Sequence, residues 1–182
     1  MTTNQEMAVR FREWVIAKDN PPSIATVGLS VATSVTSYLI ARLFGLPEAY
    51  WAAIASLMTI QLTFSAALPV AVQYVAGTAA GAAVGAAADI YFHASVWVFA
   101  AAVVLVGLIC IALRVERSAF RYASITLVIV LLVPRPISAP IVAIHRFFEV
   151  TIGIAVGLVL FAIWQKIDLK LAVKPARAEQ IR

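Results

Sequence analysis

Arg146 and Glu149 stand one helical turn apart within the last hydrophobic stretch, 141–165. Residues three apart on a helix share a face and can pair. Ionisable side chains at lipid depth are costly, and they ordinarily face a bundle interior or a water-filled path. A guanidinium held there is permanently charged, and its planar fork of donors fits both oxygens of a carboxylate. Glu149 can hold that fork in place, release it, or take a proton when a solute arrives. Two readings stand: a site for a carboxylate, or an ion pair that neutralises itself near the outer interface. His145 is adjacent in sequence, but neighbouring helical positions point about 100° apart, so it need not share the site.

The element that carries the pair is a membrane helix. Residues 150–165 offer about sixteen uncharged positions, roughly 24 Å of helix against a hydrocarbon core of about 30 Å. The missing turn is the one that bears the arginine and the glutamate. Composition agrees: hydrophobic residues make up 63% of the chain, charged residues 13%, and mean hydropathy is +0.95. A soluble domain averages about a quarter charged residues, so the chain reads as an all-α integral membrane protein. Charge-free runs at 20–41, 49–88 and 94–113 lead to six transmembrane helices near 23–43, 49–65, 69–91, 95–113, 119–134 and 141–165. Pro69 is read as the turn between the second and third. The fifth is the weakest: either Arg121 and Arg135 snorkel to the interfaces, or the helix is short and partly broken.

Of the fourteen Lys and Arg, only Arg42, Arg135 and Arg146 fall outside if the N-terminus is cytoplasmic. This places both termini inside, makes 166–182 a basic cytoplasmic tail, and explains the pI of about 9.7 through anionic lipid rather than nucleic acid. Residues 1–22 read as an interfacial amphipathic leader with Met7, Phe11, Trp14 and Val15 on one face. Cys110 is the lone cysteine and reads as a small buried hydrophobe, which excludes internal disulfides and cysteine metal clusters. No metal, cofactor or P-loop motif is present, nor any Ser/His/Asp set, so an enzyme is not expected. Active transport would then draw on the proton motive force or an ion gradient. Asp89 and His93 read as a polar helix cap, Arg42 as an interfacial anchor, and Trp51, Tyr91, Trp97 and Trp164 as an aromatic belt.

The two halves echo each other. Tyr74, Gly77, Gly81 and Gly85 have the spacing of Arg146, Glu149, Gly153 and Gly157. Three helices per half would make these inverted repeats, the architecture of transporters whose sites lie where the repeats meet. Gly77, Gly81 and Gly85 form a ridge of small residues that lets helices approach closely, and Gly153 and Gly157 continue the pattern. Thr26, Ser30, Thr33 and Ser37, with Ser56 and Thr59 in the next helix, either line a hydrated path or hydrogen-bond between helices.

Four motifs in order carry a family resemblance: Tyr50-Trp51-Ala52, Gly77-Thr78-x-x-Gly81, Tyr122-Ala123-x-x-Thr126 and Arg146-x-x-Glu149-x-x-x-Gly153. Over about residues 23–165 they resemble the membrane domain of the fusaric-acid-resistance and aromatic-acid-exporter family, which is similar to that of plant aluminium-activated malate transporters. The resemblance implies export, or channel-like passage, of organic and aromatic carboxylic acids through the bacterial inner membrane. It implies Arg146, Glu149, Tyr74 and Thr78 as substrate-binding residues, with Tyr74 standing where the family often has a second arginine. The chain's half size relative to the longer exporters makes a homodimer or higher homo-oligomer the expected state. The alternative is a membrane scaffold that packs against another protein without transporting anything.

Overall fold

The computed structural model describes residues 23–179 apart from 61, 62, 94 and 135, with side chains described as far as 167. The leader at 1–22, Arg135 and the side chains of the basic tail beyond 167 lie outside the described residues. All regular structure among the described residues is helical: α1 (Ile24–Leu43), α2 (Tyr50–Thr59), α3 (Phe64–Phe92), α4 (Val96–Ala112), α5 (Arg117–Leu131) and α6 (Ala139–Glu179).

Local chemistry sets several of these ends. Ser23, Thr63 and Ser95 each cap a helix, their hydroxyls accepting the N–H of Thr26, Ala66 and Val98, which satisfies donors that the first turn leaves unpaired. Gly45, at φ 71°, closes α1 in the left-handed conformation that glycine adopts without strain.

Among the described residues three helices are long and apolar enough to cross a bilayer, Ile24–Leu43, Phe64–Phe92 and Ala139–Ile167, with Val96–Ala112 a shorter apolar helix. α2 is different. Its ten residues rise only about 15 Å, half the hydrocarbon thickness. The expected second helix at 49–65 is therefore shorter than the pattern implied, and the break falls before Phe64 rather than at Pro69. Pro69 lies inside α3. It is the sixth residue of α3, past the first turn, so its missing N–H removes one intrahelical bond without ending the helix, and Thr63 is the residue whose side chain starts the helix. α5, with fifteen residues, is likewise short.

The glycine ridges decide which helices meet. α3 packs along α5: a Cβ on Gly77 or Gly81 would run into the carbonyl oxygens of Ala119 and Ala123, and one on Gly85 would come within 3.0 Å of Val130. α6 packs along α2 in the same manner. A Cβ on Gly153 would strike the Ala52 carbonyl, and one on Gly157 would approach Ser56 to 3.3 Å. α3 and α6 also pack against each other, and the short helices α2 and α5 flank that central pair. Arg146 and Glu149 thus enter the interior of the bundle.

Candidate functional site

Arg146 and Glu149 are each 1% exposed, so the pair is buried within the bundle. The guanidinium sits over Trp51, its Cζ 3.6 Å from the ring centroid, a cation–π contact worth about 2 kcal/mol when desolvated. Nε, Nη1 and Nη2 are all buried, and none meets an acceptor at hydrogen-bonding geometry among the described residues. The Tyr74 hydroxyl and the carboxylates of Glu149 and Glu48 are near enough to act on its charge. A desolvated cation with its donor fork unsatisfied is costly to bury, and an incoming anion would relieve that cost.

Trp51 and Glu48 tie this cation to α2. The Glu48 backbone N–H donates to Glu149 Oε1 at 2.9 Å, and the Trp51 indole N–H donates to Glu48 Oε2 at 3.1 Å. Ala49, at the N-cap position of α2, makes no side-chain cap. Glu149, from a distant part of the chain, therefore supplies a carboxylate at the positive end of that helix. On the other side of Arg146, Tyr74 is buried and stacks on Tyr122, with ring centroids 4.0 Å apart and planes at 17°. Tyr74–Tyr122 joins α3 to α5 as Arg146–Trp51 joins α6 to α2.

Of the four residues expected to bind substrate, Arg146, Glu149 and Tyr74 come together. Thr78 lies one turn further along α3, fully buried, its hydroxyl without a hydrogen-bond partner among the described residues. Glu48 was not anticipated, because it lies in the turn before α2 and belongs to no spaced motif. Trp51 was assigned to an interfacial belt. It instead packs, partly buried, against the core formed by α3, α5 and α6. Its nearness to a helix end was the only signal the sequence offered, and an indole serves interface and cation alike. Tyr91 and Trp97 are exposed, as a belt would have them. Phe147 and Phe148 line an apolar groove with Ala79, Ala82 and Ala83 of α3.

The hydroxyl stripes occupy a helix contact. Thr33, Ser37, Ser56 and Thr59 are buried, and each bonds a carbonyl of its own helix. Ser37 and Ser56 meet across α1 and α2 at 3.1 Å. Ser30 is partly buried, while Thr26 is exposed and bonds Ser23 at the start of α1. A double-mutant cycle on Ser37→Ala and Ser56→Ala, read by thermal unfolding in detergent, is expected to give a coupling of about 0.6 kcal/mol. A loss of flux per folded molecule in either variant would mark them as path-lining instead.

Searches of curated proteins and of solved structures return no match. A family model described as fusaric acid resistance protein-like matches residues 35–160, a segment running from the middle of α1 through the glycine contacts of α6. The match takes in Glu48, Trp51, Tyr74, Tyr122, Arg146 and Glu149 together. With its apolar spanning helices and a buried cation at their centre, the chain belongs to the fusaric acid resistance protein-like family of membrane exporters.

Proposed function

We propose that this protein carries organic carboxylate anions, aromatic ones among them, across the bacterial inner membrane, and that Arg146 is the group that binds the carboxylate. The observation that carries this reading is the buried guanidinium, seated on Trp51 with three nitrogens unmet by acceptors. A carboxylate is the ligand that two parallel N–H donors fit. Trp51, Tyr74 and Tyr122 supply aromatic faces beside it, suited to a ring on the same solute.

The reading includes six membrane passes with both termini cytoplasmic. α2 and α5 are the short helices that flank the α3–α6 pair, a shape tolerated at membrane depth where backbone is buried in protein. Support for inverted repeats comes from the recurring contacts, Gly81 on Ala123 and Gly153 on Ala52, each beside an aromatic residue that faces the α3–α6 crossing. The reading also includes a homodimer, for which Ala76, Ala83 and Ala87 offer an exposed face of small side chains on α3.

The test is flux in proteoliposomes containing the purified full chain, with phthalate, salicylate and malate as probes. Saturable uptake above empty liposomes is expected for at least one aromatic acid. Uptake of none, from vesicles with correctly inserted protein, would reject the reading.

A further inference from the structure

Thr78 forgoes a bond that comparable hydroxyls take. Among the described residues the other buried serines and threonines are Thr33, Ser37, Ser56, Thr59 and Thr126, and each donates to a carbonyl three or four residues back on its own helix. Inside a helix this is the local bond open to a hydroxyl. For Thr78 the matching acceptor is the Tyr74 carbonyl, yet the hydroxyl is fully buried and meets no partner among the described residues. An unmet buried hydroxyl is costly, and a ligand that accepts its hydrogen bond relieves that cost.

Packing sets this hydroxyl level with the guanidinium. α3 and α6 run in opposite directions: Ala82 shares a packed cluster with Val142 and Ala143, while Tyr74 shares one with Val150 and Ile154. Thr78 lies midway between Tyr74 and Ala82 on α3, and Arg146 lies midway between Val142 and Val150 on α6. These positions are four apart, so each set follows one face of its helix. Two fully buried side chains with unpartnered donors, the fork of Arg146 and the hydroxyl of Thr78, therefore stand at one level of the α3–α6 contact. The unpartnered Nδ1 of His145 belongs to a half-buried side chain about 100° around α6 from Arg146.

We propose that the Thr78 hydroxyl is the second donor to the bound carboxylate, so that one anion bridges α3 and α6. The inference rests on the carboxylate-carrying reading above. A carboxylate offers about four acceptor positions on its two oxygens. The guanidinium fork takes two of them in parallel, and the hydroxyl takes a third from the facing helix. No covalent bond changes, and no proton is transferred. The bridge joins the first half of the chain to the second through two groups that meet no acceptor among the described residues.

The experiment is equilibrium binding of labelled phthalate to the purified full chain, comparing the wild-type protein with Thr78→Val and Thr78→Ser at equal folded concentration. Thermal unfolding of each without phthalate, in one detergent, accompanies it. Valine keeps the branched shape and removes the hydroxyl, whereas serine keeps the hydroxyl. Thr78→Val is expected to weaken binding at least about tenfold, the effect of losing a hydrogen bond to a charged group. Its unfolding midpoint is expected to stay at or above that of the wild-type chain, because a methyl replaces a buried hydroxyl that had no partner. Thr78→Ser is expected to bind within about threefold of the wild-type chain. Wild-type affinity in Thr78→Val, whether or not its unfolding midpoint falls, would overturn the inference and leave the carrier reading intact. Equal weakening in both variants would also overturn it, since serine retains the hydroxyl. Absence of saturable phthalate binding by the wild-type chain would reject the carboxylate reading itself, and the inference with it.

Discussion

Arg146→Ala is expected to lower carboxylate flux about a hundredfold or more per inserted molecule. The size follows from the setting. On the proposed reading the guanidinium and the bound carboxylate form a buried, hydrogen-bonded charge pair; truncating one partner of such a pair costs about 2–5 kcal/mol, and each 1.4 kcal/mol is a factor of about ten. Here the side chain is the cation on which Tyr74, Glu149 and Glu48 act, and its replacement removes that positive charge from beside two carboxylates. Arg146→Lys separates the contributions. A lysine keeps the charge but cannot lie flat on the Trp51 ring or offer a bidentate fork, so a smaller loss, about tenfold, is expected. The measurement is initial uptake in proteoliposomes, normalised to the amount of monodisperse protein recovered. A purely structural ion pair would behave differently: less folded protein in both variants, with the rate per folded molecule unchanged.

Gly153→Ala is expected to destabilise the helical bundle by about 1–3 kcal/mol, the usual range for forcing atoms into a filled interior. The new methyl meets the Ala52 carbonyl on α2, and backbone cannot step aside as a flexible side chain can. The consequence reaches the site, because Ala52 follows Trp51 directly and Glu149 lies one turn before Gly153. Pushing α2 away would lift the indole off the guanidinium and lengthen the Glu48 N–H to Glu149 bond. Gly81→Ala meets the Ala123 carbonyl in the same way and should be similarly damaging. Gly28 provides the control, since nothing lies within 4 Å of a Cβ built there. Gly28→Ala should be neutral, or stabilising by up to about 1 kcal/mol through helix propensity. Thermal unfolding of the four proteins in one detergent checks the order.

Much of this arrangement was legible in the residues. The spacing of Gly77, Gly81 and Gly85 and of Gly153 and Gly157 announces close helix contacts, and the structure supplies their partners, α5 and α2. Arg146 and Glu149 stood out because charge is rare in an apolar stretch. Other features stayed hidden for physical reasons. Pro69 invites a turn, yet the helix runs through it with one backbone bond forgone, and Thr63 sets the start without any strong spacing signal. The brevity of α2 is invisible to hydropathy, because its residues are as apolar as those of a full span. Glu48 is a loop residue whose importance depends on a backbone N–H that reaches Glu149 a hundred residues away, and periodicity cannot encode such a contact. Trp51 near a helix end looks the same whether lipid headgroups or a guanidinium lie beside it.

The central claim, that Arg146 is the carboxylate's partner, is tested most directly by equilibrium binding of labelled phthalate to the purified full-length protein, compared between the wild-type chain and Arg146→Ala at equal folded concentration. The account predicts saturable binding to the wild-type chain, weakened at least about a hundredfold in the variant. Equal binding by the two proteins would contradict it.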